Sequence, residues 1–371
     1  MPKQPFHIVL NKSFPKSNKE EWLRIASQEL NEKNPFEKLS WKIDSLNFYP
    51  YYEKEDVYDL GYLQKFNVSP ADSTATGWLN LPRIKVLEEK KANALALEFL
   101  EHGADGILFD LTESPDVDID SLLQGINWPF CNISFLSDHH EKFVIKIVTH
   151  IKKNNYEPIQ LRGSIFWNAL PENYESCYQK MITLQNFYSL GVLVKRSSPT
   201  DEISNALLKG VALVDYLTNL GTEKEIIFKK ISVSLPCEEN FLMNIAKMKA
   251  LRLLWYQIAQ AFTIKNFNPQ DLHLHARSEK WIHESFQPHA NMLNNTYDAM
   301  ASILGGCNSL TLDVEDENSA TMNRTALHVS NILREESHLD KVSNGIAGSY
   351  AIDRMVHELA SAAWKNFQQA V

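Results

Sequence analysis

The sequence predicts an α/β protein built on a (β/α)8 barrel, the TIM barrel, with an N-terminal helical and aromatic arm and a C-terminal helical extension. Eight short apolar runs follow one another between residues 77 and 314, and segments of helical periodicity separate them. Strands that alternate with helices are typical of a parallel sheet, and eight such rounds indicate closure into a barrel. The 371 residues exceed the roughly 250 of such a barrel, which leaves room for both extensions.

Composition and charge indicate a folded core and exclude several classes of partner. Hydrophobic residues make up 44% of the chain and charged residues 22%, which excludes a disordered protein. The 37 basic and 46 acidic residues are mixed along the chain, so no basic block could neutralise the phosphates of a nucleic acid. No stretch approaches the roughly 18 apolar residues of a membrane span, and the N-terminus lacks the apolar segment of an export signal.

The cysteines indicate the compartment. Cys131, Cys177, Cys237 and Cys307 lie far apart in the sequence and form no CxxC spacing. Each lies in or beside an apolar segment, as reduced core cysteines do. We therefore expect a cytoplasmic protein.

Residues 1–70 form the predicted arm. Residues 16–31 have the pattern of an amphipathic helix, with Ser17 ahead of Glu20 as a capping box. The stretch from Leu46 to Pro70 is rich in aromatic residues and has few periodic cues, which suits a segment laid over a surface. That surface belongs either to this chain or to a partner, and the sequence favours neither interpretation.

Residues 71–320 form the predicted barrel and residues 321–371 the helical extension packed on it. The helix at 88–103 ends at Gly103, where a glycine is expected, and Gly305-Gly306 ends the helix before the eighth strand. The clearest helix, 239–262, shows an apolar stripe at intervals close to 3.6 and is expected to face the barrel. The predicted strands are 77–86, 104–111, 131–136, 159–167, 190–197, 226–235, 271–276 and 308–314.

Reactive groups in such a barrel lie where the strands end. The polar residues at the predicted strand ends are Asp110, Ser134, Asn168, Arg196, Ser234, His275, Arg277 and Asp313. They contain no clear acid/base or nucleophile set, and Asp110, Ser234 and Asp313 are expected to cap the following helices. Phosphate-loop, dinucleotide and GxSxG motifs do not occur in the sequence.

Two pairs of histidines are candidate metal ligands. His139 and His140 are adjacent, and His273 and His275 alternate on one strand, so that the latter two point to the same side. Neither pair has the cysteines or carboxylates of a zinc site nearby, so no metal is expected. We expect His273 to be a core residue, whereas His275, nearer the end of the strand, is expected to reach the barrel mouth.

The last third of the chain resembles the methylmalonyl-CoA mutase family. The resemblance rests on NMLNNTYDAMASILGGCNSLTLDVED at 291–316 and on ALHVSNILREESHLDKVSNGIAGSYAID at 326–353. FLMNIAKMKALRLLW at 241–255 and NALALEFLEHGADGILFDL at 93–111 extend it, so that it runs from about residue 45 to the end. It implies a TIM barrel whose axis takes an acyl-CoA, a separate C-terminal domain that holds cobalamin, and a radical rearrangement of methylmalonyl-CoA and succinyl-CoA driven by adenosylcobalamin.

Several positions depart from the catalytic chains of that family. The fifth-strand segment VLVKRSS, 192–198, lacks the family's Tyr and His, and Phe166 replaces a Gln on the fourth strand. The first strand lacks the family's substrate-contacting Tyr, and residues 275–281 keep His275 and Trp281 but lose the small residues between them. These losses remove the groups that would bind the thioester, so no catalytic residue is expected in this chain.

The cobalamin motif Asp-x-His-x-x-Gly is also incomplete. DHHEKF at 138–143 and DLHLHA at 271–276 match its first half but carry Phe143 and Ala276 in place of the glycine. We expect no cobalamin-binding domain and no cofactor in this chain, and adenosylcobalamin in a catalytic partner. The resemblance therefore implies the small, non-catalytic subunit of a heterodimeric mutase, with the aromatic arm from Leu46 to Tyr62 as part of the interface.

Two other functions stay open at this point. The first is an independent acyl-CoA-binding protein or isomerase that uses Arg196, His275 and Arg277 at the barrel mouth, where two arginines would clamp CoA phosphates or a carboxylate. In the opposing interpretation both arginines pair with neighbouring acids such as Glu279 or Asp201. The second is a barrel that serves as a scaffold for an unrelated partner.

Overall fold

Eight parallel strands close into a barrel, which confirms the predicted fold class. The computed structural model describes residues 18–63, 77–114, 116–138, 140–168, 174–279, 290–314, 316–342 and 344–371. The first barrel strand consists of two segments, one paired with the eighth strand and the other with the second, so that the sheet closes through it. Pro82 lies between the segments and has no N–H to donate, which interrupts the ladder without breaking the strand.

The strands are short, and all pairs in the barrel are parallel. They are β3 (Leu79–Asn80), β4 (Arg83–Lys85), β5 (Gly106–Asp110), β6 (Asn132–Ser137), β7 (Gly163–Trp167), β8 (Phe187–Leu193), β9 (Ile231–Pro236), β10 (His273–Arg277) and β11 (Ser309–Thr311). An antiparallel hairpin, β1 (Trp41–Ile43) and β2 (Leu46–Phe48), precedes them in the arm.

The first two helices belong to the arm, the next eight lie between successive barrel strands, and the last two follow the eighth strand. In chain order the helices are α1 (Lys19–Glu29), α2 (Pro35–Lys38), α3 (Glu89–Glu101), α4 (Ile119–Leu122), α5 (His140–Lys153), α6 (Tyr174–Met181), α7 (Pro199–Asn219), α8 (Lys224–Lys230), α9 (Phe241–Ala261), α10 (Ala290–Gly305), α11 (Ala320–Glu335) and α12 (Tyr350–Ala370). Gly103 has φ 94° just after α3, and Gly306 has φ 86° just after α10, so both glycines end helices as predicted.

The bounds of two predicted strands and the cap of the first predicted helix differ clearly from the structure. Residues 226–230 belong to helix α8 rather than to the sixth strand, because their apolar run packs one helical face into the core through Ile227 and Phe228. The fifth strand spans 187–193 rather than 190–197, and residues 194–198 form a loop at the mouth. The side chain of Asn18 caps α1 by accepting from Glu21 N, whereas Ser17 lies outside the described residues.

Helix α11, which follows the eighth strand, fastens the first strand to the barrel. Trp78 Nε1 donates to Ser330 Oγ at 2.7 Å, and Asn80 Nδ2 donates to Leu327 O at 3.0 Å. Helix α12 packs across α7 and α9 on the outside of the barrel and buries Met355, Leu359 and Ala363 among other residues of its inner face. Within the predicted C-terminal extension, α11 thus completes the barrel and α12 covers it.

The arm is laid over α12 and the start of α7. Tyr62 Oη bonds to His357 Nδ1 of α12 at 2.8 Å, and Thr200 Oγ1 of α7 donates to Asp44 of the arm at 3.3 Å. Its aromatic residues pack on one another, with Trp22 and Tyr51 stacked at 5.1 Å. The arm therefore covers the chain's own surface, but it also exposes aromatic groups, above all Tyr58, which is 88% exposed. Residues 64–70 of the predicted arm lie outside the described segments.

Within the described ranges, no helix combines the length and apolarity that crossing a bilayer requires.

Candidate functional site

The barrel axis is lined partly by leucines and partly by small residues. Leu81, Leu108 and Phe166 form an inner cluster that is separate from the large core between sheet and helices, and this fixes which face of each strand points inward. By the same alternation, the inward positions of neighbouring strands carry residues with little volume. These are Gly106, Ser134, Ser164, Gly191, Ser232, Ser234, Ser309 and Thr311. The layers of a TIM barrel are usually filled by branched apolar residues, so this lining is unusually small.

Two stacked aromatic pairs fill the space that the small residues leave. The rings of Phe166 and His275 stack with centroids 4.9 Å apart, and those of Tyr188 and His273 with centroids 4.4 Å apart. Gly191 lies against Phe166, and a Cβ there would come within 2.9 Å of the phenyl ring and 2.1 Å of Ile165 O. A glycine is therefore needed at position 191, where strands β7 and β8 approach each other closely.

Tyr188 was missed by sequence analysis because the fifth strand was predicted to begin at Leu190. The apolar run begins earlier, at Phe187, and this was the signal that would have found it. Burial raises the pKa of the Tyr188 hydroxyl. Tyr188 is thus a neutral ring that covers His273 inside the barrel.

His275 is held by hydrogen bonds on both ring nitrogens. Its Nδ1 lies 2.8 Å from Ser234 Oγ and its Nε2 lies 2.9 Å from Thr311 Oγ1. Since Thr311 gives its own proton to Leu81 O, it must accept from Nε2–H, and Nδ1 then accepts from Ser234. Burial, followed by the nearby Arg277, holds the pKa of His275 well below its usual value, so the imidazole is neutral.

The position of His275 corrects an expectation. It was expected to reach the mouth, but its side chain is 1% exposed and lies in the barrel core beneath Arg277. The length of the strand explains this. Strand β10 continues to Arg277, so that Arg277 rather than His275 lies at the mouth. His273 is buried as expected, and burial lowers its pKa to about 3.

Arg277 and Arg196 lie at the mouth and engage acids and carbonyls of this chain. Arg277 donates to Ser234 O and Ser234 Oγ, each at 3.0 Å, and to Val194 O. Arg196 donates to Cys237 O at 2.8 Å and lies 3.6 Å from a carboxylate oxygen of Glu279. Glu279 is therefore a shared acidic neighbour of both arginines, at 4.0 Å from Arg277.

Asp201, the other acid expected near the arginines, is used elsewhere. Its Oδ1 accepts from Asn366 Nδ2 of α12 at 3.1 Å. The three residues predicted to bind substrate are consequently divided: Arg196 and Arg277 share the mouth, and His275 lies below them in the core.

The expected capping roles were wrong for three strand-end residues. Asp110 accepts from Thr112 N and Oγ1, Ser234 bonds to His275, and Asp313 forms an ion pair of 3.0 Å with Arg83. Burial raises the pKa of the Asp313 carboxyl, although Arg83 opposes the shift. The caps that accept from the following helices are Asp118, Asn240 and Ser319.

Ser134 and Asn168 complete the set of strand-end residues. Ser134 Oγ donates to Asn132 Oδ1 at 2.8 Å and accepts from Ser164 N at 3.0 Å. Asn168 Nδ2 donates to an oxygen of Asp138 at 3.2 Å. Ser134 thus bonds within β6 and to the neighbouring β7, and Asn168 joins the segments that follow these two strands.

The described residues contain no metal cluster, and the second partial cobalamin motif does not present its histidine to a ligand. In those ranges no group of three His, Cys, Asp or Glu side chains is placed to hold a metal. Phe143, which replaces the glycine of the cobalamin motif, packs edge to face against Phe135 at 5.1 Å inside the core. In the second partial motif His273 is stacked inside the barrel, and both nitrogens of His275 are engaged. His139 and Trp281 lie outside the described residues.

Comparisons with known proteins agree with the fold and the motifs. The family profile described as methylmalonyl-CoA mutase matches residues 179–370. The methylmalonyl-CoA mutase small subunit of Porphyromonas gingivalis is 28% identical over 95% of this chain and 63% of its own length. The large subunit of the same organism is 27% identical over 52% of this chain and 28% of its own length.

A third relative matches a shorter part. The methylmalonyl-CoA mutase of Cereibacter sphaeroides is 34% identical over 44% of this chain and 24% of its own length. The chain thus spans less than two thirds of the length of each of these relatives. The profile covers more than half of the 371 residues, including the fifth to eighth barrel strands and α12, and by that match the chain belongs to the methylmalonyl-CoA mutase family.

Proposed function

We propose that this chain is the non-catalytic small subunit of a methylmalonyl-CoA mutase, which pairs with a catalytic chain and stabilises it. The observation that carries the proposal is the filled barrel axis. The resemblance implies that the acyl-CoA of a catalytic chain passes along that axis, whereas here Phe166 stacks on His275 and Tyr188 on His273. Side chains of the fold thus stand where a substrate would need space.

The hydrogen bonds at the mouth and in the core below it support the same proposal. The polar atoms of His275, Ser234 and Thr311 bond to one another, and Arg277 donates to Ser234 and to a carbonyl. A binding site for a thioester needs donors that are aimed at the ligand. These donors are committed to the fold, and we therefore assign the chain no catalytic residue.

The cofactor and the partner belong to the same proposal. Adenosylcobalamin, which supplies the radical in this family, is assigned to the catalytic chain, because the partial motifs of this chain do not fit it. The small and large subunits named in Porphyromonas gingivalis, both similar to this chain, support a heterodimer. The cysteines are free, which supports a reducing cytoplasm.

The aromatic arm is the proposed contact with the catalytic chain. Tyr58 is 88% exposed and Tyr49 47%, and aromatic residues are enriched at protein interfaces. The arm is held to α12 through Tyr62 and His357, so it presents these rings without having to fold first. A preorganised surface loses less conformational entropy on association.

The alternative, an acyl-CoA-binding protein that uses Arg196, His275 and Arg277, is less well supported. His275 is buried below the mouth and is only 1% exposed. Arg277 already donates to two carbonyl groups and a hydroxyl. Arg196 is the member nearest to solvent, with a side chain that is 31% exposed. Titration of the chain with an acyl-CoA in a calorimeter separates the two functions, because heat of binding supports only the alternative.

Turnover and pairing test the main proposal together. The purified chain is assayed with adenosylcobalamin and methylmalonyl-CoA, and it is also co-expressed with a catalytic chain and analysed by light scattering. We expect no turnover by the chain alone and a one-to-one complex that is active. A self-sufficient active homodimer, or failure to pair with the catalytic chain, would contradict the proposal.

A further inference from the structure

The turn that leads into α12 contains the only Asn-Gly pair of the sequence, Asn344-Gly345. Ala347 N donates to Asn344 O at 3.2 Å, which closes the turn, and Ser349 is the residue before the helix. Asn344 is half-buried and Gly345 is exposed. The peptide bond between the two residues therefore lies at the surface, where water reaches it.

A glycine after an asparagine leaves the asparagine amide open to attack by the backbone. Gly345 has no side chain beside its nitrogen, so that nitrogen can approach Asn344 Cγ without steric hindrance. Within the described part of the chain, Gly345 N donates to no backbone carbonyl. The attacking nitrogen is thus neither shielded by a side chain nor held in a backbone hydrogen bond.

Lys249 of α9 engages the other reacting group. Its Nζ donates to Asn344 Oδ1 at 2.9 Å. Burial lowers the pKa of Lys249 to about 8, Asp353 opposes the shift and Arg252 reinforces it, so the amine still carries its proton at pH 7. A charged donor on this oxygen stabilises the negative charge that the oxygen takes up when a nucleophile adds to Cγ.

We propose that Asn344 is a site of spontaneous deamidation and that Lys249 accelerates the reaction. Gly345 N forms a bond to Asn344 Cγ, its proton passes through solvent to Nδ2, and the Cγ–Nδ2 bond breaks with release of ammonia. Water then opens the cyclic imide at one of its two carbonyl groups and leaves a carboxylate beside Lys249. The reaction consumes water and needs no oxidant or reductant. It concerns the chain by itself and does not depend on the proposed pairing.

A second asparagine provides a comparison within the same chain. Asn308 Oδ1 also accepts from a charged donor, Arg252 Nη2, at 2.7 Å. The next residue, Ser309, carries a side chain, is 0% exposed and begins strand β11. Its nitrogen is fixed by the barrel and cannot turn towards Asn308 Cγ. We therefore expect Asn308 to keep its amide although its oxygen is bonded to a cation.

Peptide mapping by mass spectrometry tests the proposal on the full chain, kept folded at pH 7 for increasing times. We expect conversion of Asn344 to the acid, with Asn308 unchanged. Lys249→Met should slow the conversion by about tenfold, since one donor contributes about 10²–10³-fold in an enclosed oxyanion site and less at a half-exposed one. A purely structural role of Lys249 predicts the opposite, because a loosened turn would let Gly345 N reach Cγ more easily.

Gly345→Ala tests the attacking nitrogen in a variant that should fold. Gly345 has a negative φ, and a Cβ there would lie 3.4 Å from Val342 Cγ1 and 3.7 Å from Leu304 Cδ2, which are ordinary contacts. The added methyl group hinders the approach to Cγ, so conversion at Asn344 should be several-fold slower.

Lys91→Met is the matched control, because it removes an amine whose side chain is 82% exposed on α3. It should leave the rate at Asn344 unchanged. The proposal is overturned if Asn344 is converted no faster than Asn308, or if Lys249→Met reacts as fast as the wild type or faster. An unchanged rate in Gly345→Ala would equally exclude attack by the backbone nitrogen.

Discussion

Phe166 and His275 stack across the barrel axis with their ring planes inclined by 23°. They come from β7 and β10, which are separated in the sheet by β8 and β9. The imidazole cannot turn away, because Ser234 and Thr311 hold its two nitrogens. The phenyl ring, 1% exposed, therefore packs on a rigid partner inside the barrel.

Phe166→Ala should lower the free energy of unfolding by about 3–5 kcal/mol, because it leaves a cavity between residues that are too small to fill it. Urea unfolding followed by tryptophan fluorescence measures the change. The matched control is Phe130→Ala, in a phenyl ring that is 86% exposed, and it should change the free energy by less than about 0.5 kcal/mol. A loss below about 1 kcal/mol at Phe166 would show that the axis is loosely packed.

Arg277→Met should destabilise the chain by at least about 1.5–3 kcal/mol, the contribution of one charge-assisted hydrogen bond, because three acceptors lose a donor. Those acceptors are Ser234 O, Ser234 Oγ and Val194 O. Thermal unfolding by calorimetry gives the change. The control, Lys91→Met, removes an amine whose side chain is 82% exposed and should be nearly neutral. Equal effects of the two changes would contradict a structural role for Arg277.

Local signals predicted the succession of elements but left the contents of the axis undetermined. Gly103 and Gly306 end helices through positive φ values of 94° and 86°, and such glycines are visible in the sequence. The register of β7 and β8 shifts between Ser164 and Phe166, which decides whether Tyr188 points inward. The apolar run from Phe187 places Tyr188 on the strand, but no local pattern reports the shift, so the contact of Tyr188 with His273 could not be predicted.

Helix α8 shows why an apolar run is ambiguous. Ile226, Ile227 and Phe228 suit either a buried strand or one face of a helix. Lys230, at the end of that helix, donates from its buried amine to Gln185 O and Phe187 O at 3.0 and 3.3 Å. These partners precede it by more than 40 residues, and such a distant contact selects the helix without leaving a trace in the local sequence.

The buried histidines should make the chain less stable in acid. The pKa of His273 is lowered to about 3 in the folded chain, mainly by burial, and is near 6.5 in the unfolded one. As pH falls below about 6.5, the unfolded state binds the proton and the folded state does not, so stability falls by up to about 1.4 kcal/mol per pH unit. His275 contributes in the same direction.

Urea unfolding at pH values from 7 to 4 measures this slope. His273→Gln should reduce the pH dependence of the unfolding free energy by the contribution of one proton. This expectation holds whatever the substitution does to the stability at pH 7. His328→Gln is the control, because His328 lies on α11 away from the axis and is only partly buried. An unchanged slope in His273→Gln would mean that His273 titrates in the folded chain.

Tyr58→Ser should weaken binding to a catalytic chain by tenfold or more, which corresponds to about 1.4 kcal/mol, if the arm is the contact between the subunits. The Tyr58 ring is 88% exposed, so its loss should leave the thermal unfolding of the free chain unchanged. Surface plasmon resonance with the immobilised catalytic chain gives the affinity. Tyr216→Ser, on α7 with its side chain 42% exposed, provides a tyrosine control away from the arm. Equal affinities of the catalytic chain for Tyr58→Ser, Tyr216→Ser and the wild type would show that the interface lies on another face. The reason is that removing an anchor residue that is fully covered in a complex weakens binding.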